Sequence, residues 1–297
     1  MAIEPVSLTL AEGRFDAFAE ALGRSFERYG FAVVQDHGIE ATAIVDGLAA
    51  TKAFFALPEA AKRRYLIEGA RGQRGYIPFG VETAKGARHA DLKEFWHVGR
   101  AGNVWPAELP AFEPAIGALY AAFDALGQTL LAAIAVRLGL PRGHFADAIA
   151  DGDSILRLLH YPPTDGLGPA IRAGAHEDIN AITLLLGAEE AGLELLDRDG
   201  RWLAVNPAPG AVVVNVGDML QRLTNHRLPS TTHRVVNPTP DRSGVARYSM
   251  PFFLHFEPDY RLETLAGCVS AAAPNRYPEP ITARAYLAER LKEIRLA

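Results

Sequence analysis

From Ser154 onward the period of the chain changes, and this change constrains the fold more than any other feature. Apolar residues come in short runs at 155–161, 173–186, 193–196, 202–205, 211–216, 232–236 and 247–256, with turn-forming residues between them. Runs of this length, rich in β-branched and aromatic residues, read as strands, and a succession of them demands an all-β core. The segment Asp197-Arg-Asp-Gly200 reads as a hairpin turn in which Gly200 can take φ > 0. The first half follows helical spacing instead. Phe15, Phe18, Leu22 and Phe26 form a stripe in a helix over about 12–29, and a second helix covers 44–55. Ile116, Leu119, Tyr120, Phe123, Leu126, Leu130, Ile134 and Leu138 form a longer stripe over 114–138. Gly30 stops the first helix, and a buried strand from Phe31 leads to Asp36-His37-Gly38. The expected fold is mainly β with flanking α-helices. It is read as a single domain over 1–297, with about 1–150 mainly helical, about 151–260 the strand core, and the remainder a C-terminal segment. No internal repeat or low-complexity linker is visible.

Within the run 173–186 stands Ala-His176-Glu-Asp178, and in an extended chain His176 and Asp178 share a face while Glu177 points away. An imidazole and a carboxylate on one face can share a metal ion. The best candidate for a third ligand is His233, in Thr-Thr-His-Arg-Val. Two neutral imidazoles and one carboxylate suit Fe(II), cover one face of an octahedron and leave the other positions open for a co-substrate and O2. Farther on, Arg247 and Ser249 are again two apart in an apolar run. A guanidinium fork matches a carboxylate, and a neighbouring hydroxyl adds a further hydrogen bond.

These residues and spacings, His176-x-Asp178, His233 and Arg247-x-Ser249, resemble the iron(II)- and 2-oxoglutarate-dependent oxygenases, in the branch that includes isopenicillin N synthase and the plant 2-oxoglutarate dioxygenases. Tyr-Gly-Phe-Ala-Val-Val-Gln-Asp-His-Gly at 29–38, Leu-Pro-Glu at 57–59 and Asp-Leu-Lys93-Glu94 are similar to that branch as well. The resemblance implies a double-stranded β-helix (jelly roll), with Fe(II) on His176, Asp178 and His233. It implies 2-oxoglutarate on Arg247 and Ser249, with help from Tyr161, and O2 as the oxidant. The plant-type Asn-x-Tyr-x-x-Cys phrase is altered here, with Leu159 in place of its Asn and Thr164 in place of its Cys. The implied reaction oxidises, by default hydroxylates, a small organic substrate and releases succinate and CO2. Two other readings stay open: an oxidase of the same fold that does not use 2-oxoglutarate, and a non-catalytic jelly roll that binds a small acid. Arg74, Phe95, His97 and Phe253 are the candidate substrate-pocket residues, with Arg74 or Arg88 as a candidate holder of a substrate carboxylate. His37, His160, His226 and His255 are read as structural, as are Lys93 and Glu94.

The composition, 49% hydrophobic and 22% charged, is that of an ordinary globular chain, and the net charge of −5 gives no reason to expect nucleic acid. No apolar stretch is expected to span a membrane. The single cysteine, Cys268, and the absence of a leader-like start point to the cytoplasm. The expected partner is a small-molecule substrate, and oligomeric state is not legible.

Overall fold

The computed structural model describes residues 3–67, 73–81, 91–163, 172–186, 192–239, 241 and 243–293. In its first half, β1 (Pro5–Ser7), α1 (Leu10–Gly13), α2 (Phe15–Tyr29), β2 (Phe31–Gln35), α3 (Ala41–Phe55), α4 (Glu59–Lys62), β3 (Gly75–Ile77), β4 (Glu94–Gly99), α5 (Phe112–Arg137) and α6 (Ala146–Ala150) follow one another. The strand half comprises β5 (Ile155–Tyr161), β6 (Ala173–His176), β7 (Ile182–Leu186), β8 (Leu193–Leu196), β9 (Trp202–Ala204) and β10 (Val212–Val216). After these come α7 (Asp218–Leu223), β11 (His233–Val235), β12 (Arg247–Ser249), β13 (Pro251–Leu254), β14 (Arg261–Leu262), β15 (Ile281–Thr282) and α8 (Ala283–Glu293).

The strands form a major sheet in the order β1-β2-β10-β7-β13-β5-β4-β3, with β12 also on β5, and a minor sheet β6-β11-β8-β9. This is the two-sheet wall of a double-stranded β-helix. Among the described residues the pairings, including a separate β14–β15 pair, are antiparallel except β1 with β2. The N-terminal half therefore supplies strands to the wall as well as a helical coat.

Strand alternation gives the major sheet two different faces. Trp96, Leu156, Leu158, Leu184, Val212, Val214, Phe252 and Leu254 are fully buried with Phe18, Phe26, Phe54 and Phe123 of the helices. On the opposite face, Ile77, Phe95, Leu159 and Tyr161 meet Ala173 and Val235 of the minor sheet, while Phe31 and Val213 meet Leu193 and Leu195. Two apolar clusters thus close the sides of a cup between the sheets. Helix α5 packs on α2, α3, β7 and β13. Contrary to the sequence expectation, this 26-residue helix is long and apolar enough by composition to cross a bilayer. Its apolar stripe is spent on the core instead, with Ile116, Leu119, Phe123 and Leu130 at 0% exposure.

Three expected segments are divided. The helix over 12–29 breaks at Arg14, whose φ of −140° and ψ of 58° are not helical, giving α1 and α2. The run 247–256 splits at Met250 into β12 and β13, which keep one register on β5. The run 173–186 is not one strand: β6 belongs to the minor sheet and β7 to the major one. Asn180 makes the crossing, its side-chain Nδ2 donating to the Ile182 carbonyl at 3.0 Å and to Thr183 Oγ1 at 2.9 Å. Gly30 does end α2, with φ of 67° and its N–H on Phe26 O, and a Cβ there would collide with Pro229 O.

Candidate metal centre

His176 ends β6 and His233 begins β11, and these are directly paired in the register of the minor sheet. Asp178 lies beyond the end of β6, in the crossing segment, so the shared strand face expected from the sequence does not bring it to the histidines. The turn at Asn180 does. Asp178 Oδ1 stands 3.8 Å from His176 Nε2 and 3.9 Å from His233 Nε2. Among the described residues this is the one group of His, Cys, Asp and Glu donors in reach of a common ion, all within 4.8 Å.

The surroundings of each donor fit a metal. His176 Nδ1 lies 2.7 Å from Gly174 O and His233 Nδ1 lies 3.1 Å from Thr231 O. A carbonyl only accepts, so both Nδ1 atoms carry the proton and both Nε2 atoms present a lone pair to the common point. Asp178 Oδ2 accepts from Thr183 Oγ1 at 2.5 Å and from Asn215 Nδ2 at 2.8 Å, which leaves Oδ1 to face the imidazoles. With bonds of about 2.1 Å, neighbouring ligands of an octahedral ion stand roughly 3 Å apart, so the donors would draw in from 3.8 and 3.9 Å by somewhat under 1 Å to seat one.

Charge agrees with geometry. Burial, and then the adjacent His233, push His176 down to about 4, so its imidazole is neutral at pH 7. Burial would raise the Asp178 carboxyl, but the two imidazoles and the hydrogen bonds from Asn215 and Thr183 outweigh it and keep it ionised. The crossing segment is held from behind by α7, where Gly217 N donates to Ala181 O, Asp218 N to Asp178 O and Met219 N to Asn180 O. A Cβ at Gly217 would collide with Asn180 O, so this approach needs glycine. Thr183 and Asn215 were missed in the sequence. Each is the one polar residue in an otherwise apolar strand, Ile182–Leu186 and Val212–Val216, which is the signal that marks it.

Arg247 faces Tyr161 across β12 and β5, and Ser249 faces Leu159. The guanidinium carbon lies 5.0 Å from the centre of the Tyr161 ring, and Arg247 is 2% exposed. Leu159 fits this place as an apolar neighbour, packed with Phe95, Tyr161 and Ile77. A buried cation beside a hydroxyl, walled by apolar side chains on the face of the major sheet that meets the histidine-bearing minor sheet, has the chemistry to take an acid. Alternation separates the Asp-x-Lys-Glu phrase. Lys93 Nζ pairs with Asp91 Oδ2 at 2.8 Å, and Asp91 Oδ1 accepts from Gly174 N, two residues before His176. Glu94 turns outward to Lys62, Tyr76 and His160.

Of the other residues singled out, Phe95, His97 and Phe253 lie on the inner face with Leu159, while Trp96 is buried on the helix side with Phe54 and Phe112. Arg74 donates to the carbonyls of Ala101 and Gln73, and its donors go to loop backbone. Arg88 and Thr164 lie outside the described residues. His37 joins Gly210 O and Ile39 N, His160 stacks on Tyr248 on the outer face, and His226 stacks on Tyr277.

Comparison with known proteins bears on the same residues. Residues 152–256 match the family model described as the 2OG-Fe(II) oxygenase superfamily. Residues 3–115 match that described as non-haem dioxygenase in morphine synthesis N-terminal. The 2-oxoglutarate-Fe(II) type oxidoreductase hxnY of Emericella nidulans is 34% identical, with 87% of this chain and 79% of that protein covered. The proline hydroxylase buaE of Petromyces alliaceus is 35% identical, with 96% and 95% covered. Among solved structures, a 2OG-Fe(II) oxygenase family protein from Caulobacter crescentus superimposes with a TM-score of 0.92 at 56% identity, covering 99% of both chains. A full-length protein of Neurospora crassa, solved in complex with alpha-KG, superimposes with a TM-score of 0.89 at 28% identity, covering 98% and 95%.

Proposed function

Because the chain belongs to the 2OG-Fe(II) oxygenase superfamily, we propose that its iron sits on His176 Nε2, Asp178 Oδ1 and His233 Nε2, and that Arg247 and Ser249 anchor 2-oxoglutarate with Tyr161 beside them. The protein is an Fe(II)- and 2-oxoglutarate-dependent oxygenase that acts on a small molecule. Bound Fe(II) would supply the activation of O2, with one oxygen atom going to succinate as 2-oxoglutarate loses CO2 and, in a hydroxylation, the other entering a substrate C–H bond to give the alcohol.

The rest of the work belongs to this chain's residues. Thr183 and Asn215 turn the Asp178 carboxylate so that a single oxygen faces the imidazoles. The carbonyls of Gly174 and Thr231 fix the tautomers. Arg247, on the inner face of β12, neutralises the far carboxylate of the keto acid, while Phe95, Leu159 and Val235 keep water from that contact. Phe253 stands opposite Thr183 in the pairing of β13 with β7, which supports a place for it at the substrate side of the metal. We further propose hydroxylation of a small organic molecule with an apolar part, in the cytosol.

The observation that carries this reading is the convergence of three donors, each with its second polar atom already engaged. Anaerobic loading with Fe(II), then measurement of succinate formed per 2-oxoglutarate consumed, tests it. Arg247→Ala should raise the 2-oxoglutarate Kd by an amount worth about 2 to 5 kcal/mol, since it strands a buried carboxylate. An unchanged Kd would remove Arg247 from the site.

A further inference from the structure

Strand β6 is the outermost of the minor sheet and, among the described residues, pairs with β11 alone. That pairing is interrupted beside the ion's position. His176 faces His233 and Ala173 faces Val235, so two residues of β6, Gly174 and Ala175, stand against Arg234 alone. A bulge of this kind kinks its strand and leaves part of the ladder unmade. Gly174 is buried, and a buried N–H needs an acceptor. Asp91, at the entry to β4 of the other sheet, supplies one: Gly174 N donates to Asp91 Oδ1 at 3.0 Å. The same glycine carries the link onward, since its carbonyl accepts from His176 Nδ1 at 2.7 Å.

Asp91 is itself fixed. Its Oδ2 accepts from Lys93 Nζ at 2.8 Å, and its backbone carbonyl accepts from Lys93 N at 2.9 Å, which closes a tight turn. Asp91 and Lys93 are both buried, at 6% and 7% exposure. The ammonium serves here as a clamp that turns one carboxylate oxygen toward Gly174. A bond from an N–H to a carboxylate is about twice as strong as a neutral one, so it can stand in for a ladder bond that the bulge removes. The arrangement repeats the one at Asp178, where the second carboxylate oxygen is also engaged so that the first is aimed.

We propose that Asp91, clamped by Lys93, is a positioning residue for the metal centre: by holding the bulged backbone at Gly174 it aims the His176 imidazole at the ion. This rests on the reading that iron sits on His176, Asp178 and His233. The Asp-x-Lys-Glu phrase then divides its work by strand alternation. Asp91 and Lys93 tie the edge of the minor sheet to the major one, while Glu94 faces Lys62 and His160 on the outside.

The test uses the full-length protein under anaerobic conditions. Titration with Mn(II) reads metal affinity, and pulsed EPR with Cu(II) in the site counts coordinated imidazoles. Wild type should bind Mn(II) and show both imidazoles. Asp91→Ala should bind Mn(II) on the order of 10- to 100-fold more weakly, with one imidazole partly or wholly lost. Asp91→Asn, which has one side-chain oxygen where Asp91 has two, should fall between them, and it is read by the same criteria if Asp91→Ala does not fold. Glu94→Gln changes the same stretch on its outward side and should keep the Mn(II) Kd within about 2-fold of wild type, whatever it does to stability in urea. The proposal is overturned if the folded Asp91 variants bind Mn(II) within about 2-fold of wild type, or if they lose affinity with both imidazoles still bound. It is also overturned if Glu94→Gln weakens Mn(II) as much as they do, which would reduce Asp91 to general support of the fold. Failure of the wild-type protein to bind Mn(II) through both imidazoles would instead overturn the reading of the metal centre, and this proposal with it.

Discussion

Replacing Thr183 by valine exchanges a hydroxyl for a methyl of nearly the same size on a β-branched side chain, so β7 keeps its packing and its pairing with β10 and β13. What disappears is the 2.5 Å donor to Asp178 Oδ2, together with the acceptor of Asn180 Nδ2, which keeps Ile182 O, while Asn215 Nδ2 stays at 2.8 Å. A hydrogen bond to a charged group contributes about 1.5 to 3 kcal/mol, and Asp178 is only 7% exposed, so water cannot readily replace the lost donor. With one donor left, the carboxylate can rotate and offer either oxygen to the ion. Converted at 1.36 kcal/mol per decade, the loss corresponds to roughly a 10- to 150-fold weaker metal site. Anaerobic titration with Mn(II) or Co(II), followed by calorimetry, measures it directly. Thr183→Ser, which keeps the hydroxyl, should stay close to wild type. If Thr183→Val binds metal within about 2-fold of wild type while folded, the orientation of Asp178 does not depend on this bond and the reasoning fails.

Other perturbations bear on the rest of the structure. Phe252→Ala empties a fully buried site between Phe123, stacked at 5.7 Å, and Tyr120, so urea denaturation should show a loss of about 3 to 5 kcal/mol; a loss below about 1 kcal/mol would mean that α5 is not seated on β13 as described. His255, 8% exposed, is pushed down to about 4 by burial, against about 6.5 in the unfolded chain. Between those pH values the unfolded chain binds more protons, so stability falls as pH drops from 6.5 toward 4 and is level above that window. Asp218, raised to about 6 by burial, acts with the opposite sign from pH 6 down, but it is common to both proteins in a comparison. Between pH 7.5 and 4.5, His255→Gln should therefore lose roughly 2 to 3 kcal/mol less stability than wild type; equal losses would contradict the assignment.

The candidate metal donors His176 and Asp178 and the candidate acid-binding pair Arg247 and Ser249 stand out in the sequence because each pair is spaced by two. The means by which they meet do not. A run of apolar residues shows where strands lie, but alternation does not tell where a chain leaves one sheet for another, so 173–186 read as one strand. The polar side chain of Asn180, which makes the crossing, was hidden in that run. Helix spans fared better, since a stripe such as Phe18, Leu22 and Phe26 fixes a face. The break at Arg14 follows Gly13, a poor helix former at the end of α1, which is the mark the sequence carries for it. Arg74 looked like a pocket cation because it sits in a Gly-rich stretch, yet its donors go to Ala101 and Gln73 carbonyls.

The claim on which the account stands is the location of the ion and its keto acid. Anaerobic crystals grown with Mn(II) and 2-oxoglutarate, with data collected at the manganese edge, test it most directly. The account predicts one anomalous peak per chain, bonded by His176 Nε2, Asp178 Oδ1 and His233 Nε2, with the distal carboxylate of the keto acid on Arg247 and Ser249. A peak away from these three atoms, or a keto acid whose far end avoids Arg247, would contradict it.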